Sequence, residues 1–159
     1  MPFYKAPYQR ASSLLIFLVA ITALVVAYLL QKIGYQPCPL CIIARYGFIG
    51  MAGFSILTML YPTRVMHWVL KIITLAGLSN AIYHEYELYY PKPSCGVDQL
   101  EIFMNTLMPA HWFPGFLKAD GLCSAPHAPV LGLQVPTLSL ILWIGFALIS
   151  LGSLCVKKR

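Results

Sequence analysis

Charge is what this sequence lacks most. Only 10% of its 159 residues are Asp, Glu, Lys or Arg, and only five of those are acidic. A soluble domain carries about 25% charged residues, so a water-soluble globule is excluded. The hydrophobic share is 59%, which marks an integral membrane protein. A chain of 159 residues offers one bundle's worth of spans, hence a single membrane domain over residues 1–159. A basic stripe interleaved with aromatics is missing too. The eleven Lys and Arg give a net charge of +6 but gather at the ends of apolar runs, a pattern of membrane topology and not of nucleic-acid binding. Internal repeats and low-complexity stretches are absent as well.

What remains is four apolar runs. Residues 11–31, 46–63 and 134–156 contain no charge, and 65–90 is apolar apart from Lys71 and a polar tail holding Glu85 and Glu87. A bilayer core needs about 20 helical residues, and a backbone in lipid must satisfy its own hydrogen bonds. The runs therefore predict helical spans at about 12–31, 42–61, 65–87 and 134–156. The links at 32–37 and at Pro62-Thr63-Arg64 are short, so successive spans run antiparallel. The expected fold is an all-α four-helix transmembrane bundle with a long loop, about 91–133, between the third and fourth helices. The first run is longer than the roughly 7 to 15 residues of a signal-peptide core and no small-x-small site follows it, so it reads as a retained span.

Basic residues orient these spans. Lys5, Arg10, Arg64, Lys71, Lys157, Lys158 and Arg159 fall on the side of both termini, against Lys32, Arg45, Lys92 and Lys118 on the other. The excess predicts cytoplasmic termini. The outer side then holds four of the five cysteines, Cys38, Cys41, Cys95 and Cys123, in a compartment where disulfides persist. Cys155, at the inner end of the last run, reads as a reduced, packed thiol.

Cys38-Pro39-Leu40-Cys41 sits where the second apolar run begins, with Arg45 four residues further on. A helix start and a fixed positive charge both favour a thiolate. Cys41 is expected to be the more buried and better stabilised sulfur, and Cys38, stiffened between Pro37 and Pro39, the one exposed to attack. Haem attachment would need a histidine after the second cysteine, where Ile42 stands. A zinc site would need a second, closely spaced pair, yet Cys95 and Cys123 are 28 residues apart. Turn-forming residues surround both of these cysteines, so both should be accessible. A bond between them would either staple the long loop or exchange with an incoming thiolate.

Two further features concern the outer face. His84 and Glu85 close the third span, where a polar residue is either functional or merely interfacial. His67, His111 and His127 read as interfacial or loop residues. Val97, Leu100, Phe103, Met104 and Leu107 recur at roughly helical spacing, and aromatics follow in His111-Trp112-Phe113-Pro114-Gly115-Phe116. This segment predicts a short amphipathic helix on the outer leaflet, or a docking surface for a partner.

Pro-Cys-Pro-Leu-Cys-Ile-Ile-Ala-Arg at 37–45, the four runs and the outer Cys95 and Cys123 together resemble the DsbB family of bacterial inner-membrane disulfide bond formation proteins. The resemblance covers essentially the whole chain. It implies a thiol:quinone oxidoreductase that reoxidises a DsbA-like periplasmic dithiol oxidase. It implies disulfides Cys38–Cys41 and Cys95–Cys123, with Cys95 taking the mixed disulfide and Cys123 passing electrons to Cys38. Cys41 would face ubiquinone or menaquinone, Arg45 would help hold it, and His84 matches a histidine near the quinone. Two rival readings are a tetraspanin-like scaffold, which leaves a dithiol beside an arginine unexplained, and a vitamin-K-epoxide-reductase-like enzyme, in which the Cys-x-x-Cys is expected late in the chain.

Overall fold

The structure is a computed structural model. It describes the backbone of residues 6–90, 99–121, 129–130 and 132–155, and side chains over 10–90, 99–121, 129–130 and 132–150. Among these residues the chain is helical, apart from turns and one isolated bridge between Val130 and Leu133. The long helices are α1 (Ala6–Lys32), α2 (Pro39–Leu60), α3 (Arg64–Tyr89) and α7 (Val135–Cys155). Between the last two lie α4 (Gln99–Thr106), α5 (Met108–Trp112) and α6 (Pro114–Leu117). Helices α1, α2 and α3 are each long and apolar enough to cross a membrane, and α7 adds a shorter apolar stretch, Val135–Ser150. This is a multi-pass membrane protein.

The helix ends follow from local chemistry. Past Lys32 the chain turns through Gly34 at φ 104°, a conformation that costs glycine nothing. The Gly34 N–H donates to the Gln31 carbonyl at 3.2 Å and the Tyr35 N–H to that of Leu30 at 3.1 Å, a Schellman closure. Helix α2 begins three residues before the predicted span because Cys38 serves as its N-cap and Pro39 opens the first turn, a position where a missing N–H does no harm. At the other end of α2, Pro62 follows the last turn and Thr63 caps α3 by accepting from the Met66 N–H at 3.4 Å.

Helix α1 packs on α2, α2 on α3 and α3 on α7, and α7 also touches α1. Trp143 of α7 fills the centre. Its ring stacks on Phe48 at 4.9 Å and meets Phe146 edge-on at 5.6 Å. Gly47 and Gly77 supply the space for it: a Cβ on Gly47 would lie 2.8 Å from the indole, and one on Gly77 would collide with it outright.

The stretch expected to hold one amphipathic helix is instead three short ones. Pro109 and Pro114 each lack an N–H and each fall in a new first turn. Met104 is buried with Ile42 and Ala119, whereas Phe103, Trp112 and Phe113 are exposed, so the segment lies against the start of α2 with aromatics outward. Cys95, Cys123, Val97 and His127, and the side chain of Cys155, lie outside the described residues.

Candidate active site

Cys38 and Cys41 meet because a helix first turn puts residues three apart on one face. The Cys38 sulfur caps the turn, accepting from the Cys41 N–H at 3.4 Å, and its thiol approaches the Cys41 sulfur at 3.3 Å. Both residues are thiols here. Helix α3 brings a third group: His84 Nε2 lies 3.4 Å from the Cys38 sulfur, with the histidine 4% exposed. Asn80, one turn earlier on α3, donates to the Leu40 carbonyl at 3.2 Å and fixes the register of the two helices.

The burial order of the sulfurs is the reverse of the sequence expectation. Cys38 is 2% exposed and Cys41 half-buried. Proline on both sides stiffens Cys38 but does not expose it, because His84 covers its sulfur and residues 119–121 fold back beside it. The Asp120 and Gly121 N–H groups donate to the Pro37 carbonyl at 3.1 and 3.2 Å. Asn105 holds this returning segment by bonding both the N–H and the carbonyl of Ala119, at 2.9 and 2.8 Å.

Arg45 is buried one turn beyond Cys41. Its guanidinium donates to Gln31 Oε1 at 2.8 Å, to the Ala27 carbonyl at 3.3 Å and to the Phe116 carbonyl, and lies 4.8 Å from the centre of the Phe116 ring. These oxygens are neutral. They satisfy the donors without cancelling the charge, so the site keeps a positive field that favours a thiolate and any negative charge arising beside it. Sequence reasoning missed Gln31 and Phe116 as partners. The available signals were a lone polar residue ending the first apolar run and a ring in the aromatic segment.

Cys41, Arg45 and His84 open onto one cavity of about 510 Å³ between α1, α2 and α7. Its walls are mostly aliphatic, including Leu18, Val26 and Leu142, with Ser139 among its few polar groups. The Ser139 hydroxyl is buried and has no hydrogen-bond partner among the described residues. Four of the six residues singled out from the sequence thus share one place: Cys38, Cys41, Arg45 and His84. Cys95 and Cys123 are the other two. The sequence offered only two close metal ligands, but the fold supplies a third, since Cys38, Cys41 and His84 place their ligand atoms within 4.8 Å of one another.

Known proteins resemble this chain along most of its length. The family described as Disulfide bond formation protein DsbB matches residues 9–152. The chain is 46% identical to Disulfide bond formation protein B of Cupriavidus necator over 154 residues, covering 95% of each chain. Against the protein of the same name from Ralstonia nicotianae it is 40% identical over 154 residues, 95% of this chain and 97% of the other. Against Disulfide bond formation protein B 1 of Pseudomonas fluorescens it is 34% identical, over 83% of this chain and 81% of that one.

Proposed function

This chain belongs to the DsbB family, and we propose that it is a thiol:quinone oxidoreductase of the bacterial inner membrane that reoxidises a DsbA-like periplasmic dithiol oxidase. Family membership makes it a disulfide-forming membrane oxidoreductase. One observation carries the finer reading: Cys41, 3.3 Å from its partner sulfur, stands with Arg45 and His84 in the wall of an apolar cavity. The cavity volume of about 510 Å³ falls within the roughly 300–1,000 Å³ of small-molecule sites. Its aliphatic walls suit a lipid-soluble ring and tail, and the Ser139 hydroxyl, enclosed and without a partner among the described residues, would have to turn to reach a carbonyl. Ubiquinone or menaquinone would be held by Cys41, Arg45 and His84. A quinone bound there supplies an acceptor for two electrons and two protons.

The residues of the chain do the rest. In forming the Cys38–Cys41 disulfide the two thiols lose two electrons and two protons. Arg45 favours the thiolate that must arise at Cys41, and His84, beside Cys38, stands where a proton leaves that sulfur. The Cys38–Cys41 disulfide then oxidises the Cys95, Cys123 pair by thiolate exchange through a mixed disulfide, and that pair in turn oxidises the partner dithiol through Cys95. Two electrons move at each exchange. The docking of Gly121 on Pro37 supports the middle step, because Cys123 is only two residues further on and two residues span at most about 7 Å.

The same reading takes α1, α2, α3 and α7 as four spans of a single membrane domain, with both termini cytoplasmic and the cysteine pairs periplasmic. The basic-residue excess and the antiparallel sequence of short links support it.

Purified protein mixed with a reduced partner and quinone tests the function, followed at the quinone absorbance. Wild-type protein should turn over. Cys41→Ser should abolish quinone reduction while the partner still forms a mixed disulfide at Cys95. Unaltered turnover in Cys41→Ser would sink the mechanism.

A further inference from the structure

Three ligand atoms from two helices converge on one point at the outer end of the molecule. The Cys38 sulfur is 3.3 Å from that of Cys41 and 3.4 Å from His84 Nε2, and all three atoms lie within 4.8 Å of one another. A tetrahedral zinc ion, with bonds of about 2.3 Å to sulfur and about 2.0–2.1 Å to nitrogen, sets its ligands about 3.8 Å apart for two sulfurs and about 3.6 Å for sulfur and nitrogen. The Cys38–His84 pair stands within about 0.2 Å of its spacing and the two sulfurs about 0.5 Å closer than theirs, and the remaining pair, within 4.8 Å, draws in by a change of side-chain rotamer. We propose that reduced Cys38 and Cys41, with His84, form a site for a borderline-soft divalent cation, of which Zn(II) is the type, and that oxidation of the pair abolishes it.

Charge agrees with geometry. Uptake of M²⁺ releases the two thiol protons and leaves two thiolates, a neutral imidazole and a dication, a unit of zero net charge that a buried site tolerates. Arg45 does not compete for the sulfurs, since its donors already point to Gln31, Ala27 and Phe116. Cys38, Cys41 and His84 all line the cavity, which would supply a fourth ligand. No electrons move in this binding. The formed disulfide has no thiolate to offer, so uptake and disulfide formation exclude one another, and a bound ion holds the enzyme in its reduced form.

The redox gating rests on the oxidoreductase reading, but the ligand set does not. Full-length protein carrying Cys95→Ser and Cys123→Ser has Cys38 and Cys41 as its only close pair, and Co(II) alone serves as an optical probe. Titrated anaerobically after reduction, it should bind one equivalent of Co(II) with the sulfur-to-cobalt absorption and the intense visible bands of tetrahedral thiolate ligation, and Zn(II) should bleach them. The same protein oxidised beforehand should give no such bands. His84→Ala should weaken binding at least about tenfold, the scale on which even outer-shell changes act at metal sites, and His84→Cys should restore it. Reduced protein that gives no thiolate band, equal binding by the oxidised form, or affinity indifferent to His84→Ala overturns the proposal. Cobalt uptake in a protein whose wild type reduces no quinone upholds the site and fells the oxidase reading alone. Turnover without uptake does the opposite.

Discussion

Arg45 grips Phe116 twice, through the face of its ring and through its backbone carbonyl. The first residue belongs to α2, long and apolar enough to cross a membrane, the second to the short helix α6 between α3 and α7. The charge beside Cys41 and the position of that segment are therefore set together.

Arg45→Ala should raise the Michaelis constant for quinone on the order of tenfold, the effect of losing about 1.4 kcal/mol of charge-assisted bonding. Arg45→Lys should recover only part of it, because an ammonium cannot serve three oxygens from a planar fork. Steady-state kinetics over a quinone concentration series decides this. An unchanged constant in Arg45→Ala would reduce the residue to a structural anchor of Phe116.

Gly121 lies so close to Gln36 that a Cβ there would stand 2.5 Å from the Gln36 carbonyl oxygen. Gly121→Ala should push residues 119–121 off Pro37. Electron transfer between the Cys38, Cys41 pair and the outer pair should slow, while mixed-disulfide formation between the partner and Cys95 continues. Rapid-quench alkylation of the cysteines measures the two steps separately. Equal slowing of both would place the effect elsewhere.

Ser139 offers a cleaner probe of the cavity than the cysteines do. Its hydroxyl is buried and lacks a partner among the described residues, so removing it costs the empty protein little, whereas a bound carbonyl that it turned to meet would lose a hydrogen bond of about 0.5–1.5 kcal/mol. Ser139→Ala should keep thermal stability and weaken quinone binding roughly two- to tenfold. Tighter binding in the variant would show that the hydroxyl faces no carbonyl.

Gly77→Ala should destabilise the protein by about 1–3 kcal/mol, the usual range for overpacking a filled core, because the added methyl meets the Trp143 ring. Trp143→Phe should rescue it in part. The indole N–H is buried without a partner among the described residues, so its loss strands no polar group there. Thermal unfolding in detergent of the two single variants and the double gives the coupling; strict additivity would mean the methyl is accommodated elsewhere.

Much of this was legible in the residues. The scarcity of charge located the long helices, since an uncharged run of span length has few other uses. The three-residue spacing of Cys38 and Cys41 sufficed to bring their sulfurs together, because one helical turn decides it. His84 is 46 residues from Cys38, and no local pattern joins them; only the family resemblance pointed there. The burial order of the two sulfurs failed for the same reason: cover for Cys38 comes from α3 and from residues 119–121, both remote in sequence. The Trp143 packing against two glycines was invisible, because small residues in an apolar run look alike until the helices cross.

Cys38 is sealed on one side by His84 and flanked on the other by a segment hydrogen-bonded to Pro37. In a relay this is insulation. A small thiol finds Cys38 covered, and under the proposed relay the donor that reaches it is one brought by the segment that folds back on Pro37.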